Sequence, residues 1–489
     1  MSLWPIVELG VDSVSEFAEV VSRLQNRQPR PIPSTVRTVA KILADIERGG
    51  ARAAARYARK FDAPGLKLKD LAVSQKELRA AQVPKPHQEA ILTAIHRVTE
   101  FHEAQLKVLT KGWRRTKLWD DRAAWQWTIP AVRESDESRA AGPPPPQSRN
   151  TPRPQQPTSH KRGFVGQRLV PMDRVGIYVP GGKAAYPSSV IMNAVPAKVA
   201  GVNEIAMATP ARTDGTLNPA ILVAARELGI ERIVRVGGAA AVGFLAFGAY
   251  ESDSVRRQLE WLPCDKVVGP GNVWVNEAKR QLWGRVGLDS YAGPSEVCVV
   301  VDETAEARFA AADLLTQVEH SEDNVGILIG TDRAKVEEVL AEAESQLQGA
   351  PREKIMRRAL SERGAAIVVH KLSEAALLAS ALAPEHLTLM VKDADEAARY
   401  VEDAGCILLG PWTPQSAGDF VSGPSHTIPT NLGARFASPV NVTEFLRFQS
   451  IGKLSPEDAS ELEPPVRAFG EMEGLPAHAF NAAIRKSRR

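Results

Sequence analysis

The stretch Val175-Gly176-Ile177-Tyr178-Val179-Pro180-Gly181-Gly182 decides the fold. A short apolar run stops at Pro-Gly-Gly, and a helical run from Ser188 to Val199 follows. That order reads as a strand entering a crossover helix. Outward from it the scheme repeats. Ile205 to Ala208 is strand-like, Leu217 to Leu228 helical, and Ile233 to Val236 runs into Gly237-Gly238 and another helix. Lys266 to Val268 then enters Gly269-Pro270-Gly271-Asn272, followed by a helix from Val273 to Trp283. Strands alternating with helices indicate a parallel sheet covered on both faces.

A second alternating set begins at Val297 to Val301, a near-continuous apolar run of the kind that buried parallel strands show. A helix over 304–320, a strand Val325 to Ile329 and a charged helix over 332–348 follow. Ala366 to Val369, a helix ending near Leu382, Leu387 to Val391, a further helix and Cys406 to Leu409 complete the set. The expected fold class is therefore α/β, with two doubly wound Rossmann-like domains and parallel sheets. A helical N-terminal segment and a helical C-terminal arm flank them. Residues 1–110 read as helical, with Ser34 as N-cap of a helix stopping at Gly49-Gly50. Ser74 to Glu77 reads as a capping box. His87, His96 and His102 have no partner motif and read as surface or packing residues.

From Trp113 to Gly163 the composition changes to clustered Trp among charges, then Gly142-Pro143-Pro144-Pro145-Pro146 and a polar, Pro-rich tract. Such a tract reads as a loop or an insertion, since it suits neither a helix nor a central strand. The tail from about Val442 has too little apolar surface for a core of its own and is expected to pack on something else, such as a second subunit.

The chain has 489 residues, 44% hydrophobic and 24% charged, which suits a soluble globular protein of several domains. A formal charge of +3 gives no electrostatic case for nucleic acid or membrane as a partner. Cys264, Cys298 and Cys406 form no C-x-x-C pair, so any metal must use nitrogen and oxygen ligands, and a reducing cytoplasm is expected. No signal peptide or spanning segment is legible.

Four segments carry candidate chemistry. Gln317 and His320, three apart near a helix end, suit a shared metal ion; the alternative is a polar helix end facing water. Glu385 and His386 follow Pro384 at a strand mouth, where a carboxylate beside an imidazole suits acid–base work. Asp419 and His426 lie in a small-residue loop after the last strand. Glu473 and His478 come from the tail. The glycines ending three strands suit close approach of a phosphate, although none matches G-x-G-x-x-G and all serve equally as turns.

These segments, read as QVEH, APEHL, SAGDF and EGLPAH, together with VGIYVPGG, YPSSVIMNAVPAKVAGV, GPGNVWVNEAKR and AGPSEV, resemble the L-histidinol dehydrogenases. The resemblance runs in order over nearly the whole chain. It implies one zinc ion per subunit on Gln317, His320, Asp419 and His478. It implies Glu385 as the residue activating water and His386 as the acid–base residue. Ser295, His426 and Glu473 match substrate-contacting positions, which Gln317, His320, His386, Asp419 and His478 also line. Tyr178 and Asn272 match positions contacting NAD. Ala240 stands where the family usually has a glutamine toward that cofactor, a departure that implies weaker NAD binding by roughly 0.5–1.5 kcal/mol. The resemblance further implies a homodimer whose C-terminal arms are exchanged, with Glu473 and His478 completing the partner's site.

The implied reaction oxidises L-histidinol through the aldehyde to L-histidine with two NAD. The implied layout is a segment 1–34 packing with the arm, 35–128 as the helical part of the first α/β domain, and 129–163 as the insertion. An NAD-binding domain over 164–296, the remainder of the first domain over 297–441 and a dimerisation arm over 442–489 complete it. Two other readings stand: a relative oxidising another polar alcohol such as a sulfonated diol, and a zinc-binding protein without NAD turnover. A zinc hydrolase finds no H-E-x-x-H to support it. The connection from Gly248 to Pro263 is longer than the family's.

Overall fold

The computed structural model describes residues 6–9, 14–25, 32–111, 114–115, 123–128, 163–181, 185–249, 261–290 and 293–485. Most of the proline-rich stretch, residues 250–260 and Gly182 lie outside them. The chain forms two units, one from Met1–Leu106 and Met172–Phe445, the other from Lys107–Pro171 and Leu446–Arg489.

In chain order the described elements begin with β1 (Ile6–Glu8), α1 (Val14–Gln25), α2 (Pro33–Phe61), α3 (Gln75–Ala80) and α4 (Lys85–Leu109). Strands β2 (Arg114–Arg115), β3 (Ala123–Thr128) and β4 (Phe164–Pro171) follow. Next come β5 (Arg174–Tyr178), α5 (Pro187–Ala200), β6 (Glu204–Thr209), α6 (Pro219–Glu227), β7 (Arg232–Arg235) and α7 (Gly238–Phe247). β8 (Lys266–Val268), α8 (Val273–Leu282) and β9 (Gly287–Leu288) close that set. The second set is β10 (Glu296–Val301), α9 (Ala307–Val318), β11 (Val325–Gly330), α10 (Arg333–Leu347), α11 (Glu353–Arg363) and β12 (Ala365–Val368). It continues with α12 (Leu372–Leu382), β13 (His386–Met390), α13 (Ala394–Ala398), β14 (Cys406–Leu409) and α14 (Gln415–Phe420). The chain ends in β15 (Leu446–Lys453), α15 (Pro456–Met472) and α16 (Pro476–Ala483).

The first unit holds two parallel sheets, as the alternation requires. One has the order β7-β6-β5-β8-β9, the other β1-β12-β11-β10-β13-β14. In β10 the side chains of Val297, Val299 and Val301 pack into one core with α9 and α10, while Cys298 and Val300 enter a second core with α12. A strand buried on both faces cannot show polar alternation, which is why this one reads as a continuous apolar run. Ligands of parallel sheets sit outside the carboxyl ends of the strands, so two such sheets provide two edges for ligands.

In the first unit the structure corrects several expectations. The N-terminal segment is not only helical: β1 pairs in parallel with β12 (Ile6 opposite Ala366), and α1 packs on α12. Three edge residues are too few to show a period. Gly50 does not end the second helix. It takes φ +46° at a kink, and the chain resumes as helix to Phe61 because the Ala51-to-Ala58 run is strongly helix-forming. Ile32, followed by Pro33 in the first turn, is the N-cap, so Ser34 lies inside the helix. α2 packs on α7 and α8 of the five-stranded sheet, although the sequence reading places 35–128 with the other α/β domain. Ser74 does cap α3, accepting from the Glu77 N–H at 3.2 Å.

The second unit contains an antiparallel sheet of order β15-β4-β3-β2. Part of the Trp-rich stretch and the start of the tail are therefore strands, where loop and helix were expected. β15 lies along β4 in full register, from Leu446 opposite Pro171 to Lys453 opposite Phe164. Backbone pairing over eight residues supplies what the weak side-chain pattern does not announce. α15 and α16 pack on each other through Gly470, where a Cβ would lie 2.9 Å from that of Ala479. No described helix is long and apolar enough to cross a membrane.

Candidate active site

α12 ends at Ala383, which adopts the left-handed conformation with φ +44°. That sharp turn delivers Glu385 and His386 to the start of β13, with both side chains almost fully buried. β13 pairs with β10, and the Glu296 N–H at the head of β10 donates to Glu385 Oε2 at 3.0 Å. His386 Nδ1 lies 3.7 Å from the same carboxylate and makes no hydrogen bond among the described residues. His386 Nε2 faces Asp419 Oδ1 at 3.1 Å. The other oxygen of Asp419 accepts from Gln317 Nε2 at 2.9 Å. Glu385, His386, Asp419 and Gln317 thus form one chain of contacts.

Asp419 sits on α14, a short helix where a loop was expected, and Gln317 sits on α9. One turn earlier on each helix Asp313 Oδ1 accepts from the Gln415 N–H at 3.3 Å, and Gln415 Nε2 donates to Thr388 Oγ1 on β13. Two contacts one turn apart fix both the separation and the rotation of the helices. Asn324, buried before β11, donates to the Gln317 carbonyl at 2.6 Å and accepts from the Ser295 N–H at 3.1 Å. It ties two sequence-predicted positions together. Asn324 and Glu296 are missed by sequence reasoning, because an Asn and a Glu at strand starts carry no distinguishing spacing.

The electrostatics follow from burial. Burial alone would favour a neutral His386 ring, but the Glu385 and Asp419 carboxylates outweigh it and hold the imidazolium well above the usual range. Burial works against the Asp419 carboxylate, yet His386 beside it leaves its pKa lowered. Burial also lowers the His426 pKa, against the pull of Asp419. An Asp419 oxygen shared with a cation would hold the His386 proton less tightly, returning the ring toward the form that accepts a proton.

The other predicted ligands are placed differently. His320 lies beyond the C-cap residue Glu319 and is exposed, so it does not share the buried face of Gln317. Glu473 caps α15 and His478 lies on α16; both belong to the second unit and are exposed. Among the described residues no group of three or more His, Cys, Asp or Glu is placed to hold a metal ion. Gln317 and Asp419 nevertheless fit a zinc ion by the chemistry of the set, a carboxamide and a carboxylate with no thiolate, although the carboxamide here turns its nitrogen toward Asp419.

At the carboxyl edge of the five-stranded sheet, the buried Tyr178 hydroxyl accepts from the Gly238 N–H at 3.3 Å. Burial pushes its pKa up to about 12, so the hydroxyl stays neutral. The loop after β8 is clamped at both ends of one residue. The Gly269 N–H donates to Asp289 Oδ2 at 2.8 Å, and the Gly269 carbonyl accepts from Lys279 Nζ at 2.6 Å. Gly269 has φ +116°, and a Cβ there would lie 2.2 Å from the Tyr178 carbonyl oxygen. Only glycine fits. Asn272 accepts from the Trp274 and Val275 N–H groups and so caps α8. Ala240 is buried in the first turn of α7, and its methyl offers no hydrogen bond.

A family model described as histidinol dehydrogenase matches residues 25–130 and 147–486. The chain belongs to the histidinol dehydrogenase family. A histidinol dehydrogenase of Gluconobacter oxydans is 38% identical over 475 residues, covering 97% of this chain and 98% of the relative. One from a Synechococcus species is also 38% identical, over 479 residues with the same coverage. The crystal structure of histidinol dehydrogenase from Elizabethkingia anophelis has a TM-score of 0.81 at 29% identity, covering 99% of this chain and 98% of that one. The family is one of zinc-dependent, NAD-linked dehydrogenases.

Proposed function

We propose that the chain oxidises L-histidinol through the aldehyde to L-histidine, in the cytoplasm, as the closing step of histidine biosynthesis. The observation that carries this reading is the contact chain Glu385–His386–Asp419–Gln317, buried at the head of β13.

Gln317 and Asp419, with His320 and the partner's His478, would hold zinc, which supplies positive charge to bind the substrate's amine and imidazole, while bound NAD accepts the hydride. His386 takes the proton of the substrate hydroxyl at its imidazole nitrogen as the carbinol carbon is oxidised. Glu385, held by the Glu296 N–H, takes a proton from the water that attacks the aldehyde. His386 and Glu385 are neighbours on opposite sides of one peptide, so one strand start serves both steps. Ser295 and His426 flank this point and contact the substrate. Tyr178 and Asn272 meet NAD at the other sheet's carboxyl edge, as ligands of parallel sheets commonly do.

The active form is a homodimer in which each C-terminal arm gives Glu473 and His478 to its partner's site. Exposed apolar groups on that arm support this: Phe469, Met472, Phe480 and Ile484 all face solvent in the single chain. His386→Ala tests the catalytic assignment. It should abolish NADH formation from histidinol while zinc content stays near that of the unaltered protein. Retained turnover in that variant would overturn the assignment.

A further inference from the structure

The N-terminus of α7 has the composition of a phosphate cradle, two glycines after a parallel strand, yet the N–H groups of both glycines are already taken. Asp62, directly after α2, accepts from the Gly237 N–H through Oδ2 at 3.0 Å. The Tyr178 hydroxyl accepts from the Gly238 N–H beside it. A Cβ at Gly237 would come within 2.8 Å of Pro210 Cβ and 3.0 Å of Asp62 Oδ1, so glycine there admits the carboxylate. Pro210, in the loop after β6, also lies against Gly181, where a Cβ would be 2.7 Å from its Cγ. The loops after β5, β6 and β7 therefore converge around Asp62. Asp62 is only partly buried, and its Oδ1 accepts no hydrogen bond among the described residues.

An anion already seated on a helix N-terminus excludes a second one. The parts of a dinucleotide that suit a carboxylate acceptor are its ribose hydroxyls; a phosphate ester on such a hydroxyl brings like charge against like. Resting on the placement of NAD at this edge, we propose that Asp62 is the specificity-determining residue of the cofactor site. It accepts from the adenosine ribose hydroxyls of NAD and rejects the 2′-phosphate of NADP. Burial raises the Asp62 pKa to about 6, which leaves the group mostly ionised at neutral pH.

The test compares NAD and NADP as acceptors in the zinc-loaded enzyme with histidinol as donor. Asp62→Asn and Asp62→Ser should each lower the NAD-over-NADP ratio of kcat/KM by about tenfold or more, the scale of one charge-assisted hydrogen bond. An unchanged ratio would overturn the proposal. Should both variants misfold, the unaltered enzyme still decides. Adenosine 5′-monophosphate should compete with NAD, whereas adenosine 2′,5′-bisphosphate should compete at least tenfold more weakly. Equal inhibition by the two would overturn the proposal. Tyr178→Phe and Asn272→Ala separate the two layers: a raised KM for NAD in these with an unchanged ratio in the Asp62 variants sinks only the role of Asp62. An unchanged KM for NAD in all four variants sinks the placement of the cofactor itself.

Discussion

Lys279→Met opens the buried clamp on the loop after β8. Lys279 has no exposed side-chain surface, Asp289 has 3%, and their charged atoms lie 2.6 Å apart. Removing one member of such a pair strands the other charge, at a cost of about 3–5 kcal/mol. Asp289 keeps one hydrogen bond, from the Gly269 N–H, so the lower end applies: ~3 kcal/mol for Lys279→Met. Asp289→Asn strands the lysine instead, which keeps only the Gly269 carbonyl, and should cost a similar ~3 kcal/mol. The double variant leaves no buried charge, and Asn can still accept from Gly269. Its loss should be smaller than either single loss. Urea unfolding of the four proteins closes the double-mutant cycle. Because Gly269 also abuts Tyr178, both single variants should raise KM for NAD more than they lower kcat. A double-variant loss equal to the sum of the singles, roughly 6 kcal/mol, would refute the reasoning.

Glu385→Gln should slow the step that consumes the aldehyde by about 10²–10⁴-fold, the usual contribution of a general base, and leave the first oxidation far less affected. A single-turnover trace would then stop near one NADH per site; equal slowing of both phases would contradict the division of labour. Mixing His386→Ala chains with His478→Ala chains should restore activity toward about a quarter of the unaltered level, since half the dimers are mixed and each has one intact site. No recovery after confirmed subunit exchange would remove the exchanged arm. Burial pushes the Asp313 pKa from 3.8 to about 6. The native state therefore holds this proton more tightly than the unfolded chain, and stability from it is lost as pH rises from about 4 to 6, by up to about 3 kcal/mol. Asp313→Asn should gain stability relative to the unaltered protein over that window; a pH-independent difference between the two would refute the linkage.

The two parallel sheets were legible because their strands are buried on both faces, so Val297 to Val301 and Val325 to Ile329 stand out as apolar runs between helices. β1 and β15 were not. Their pairing is carried by backbone hydrogen bonds over few or polar residues, which leaves little trace in side-chain pattern. Glu385 and His386 were legible as adjacent groups at a strand mouth, and Gln317 from its helix. His320 shows the limit of a spacing argument: three residues past Gln317 the helix has ended, and the ring faces solvent. Asp62 shows another limit. Its partner Gly237 is 175 residues away, and only the folded chain brings a carboxylate to a helix N-terminus that glycines alone would mark for phosphate.

The central claim is that one site performs both oxidations. The direct measurement is NADH formed per L-histidinol consumed by the zinc-loaded protein, with the product identified at the end. The account predicts two NADH per histidinol and L-histidine as product. NADH from another polar alcohol with none from histidinol, or no NADH from zinc-replete protein, would contradict it.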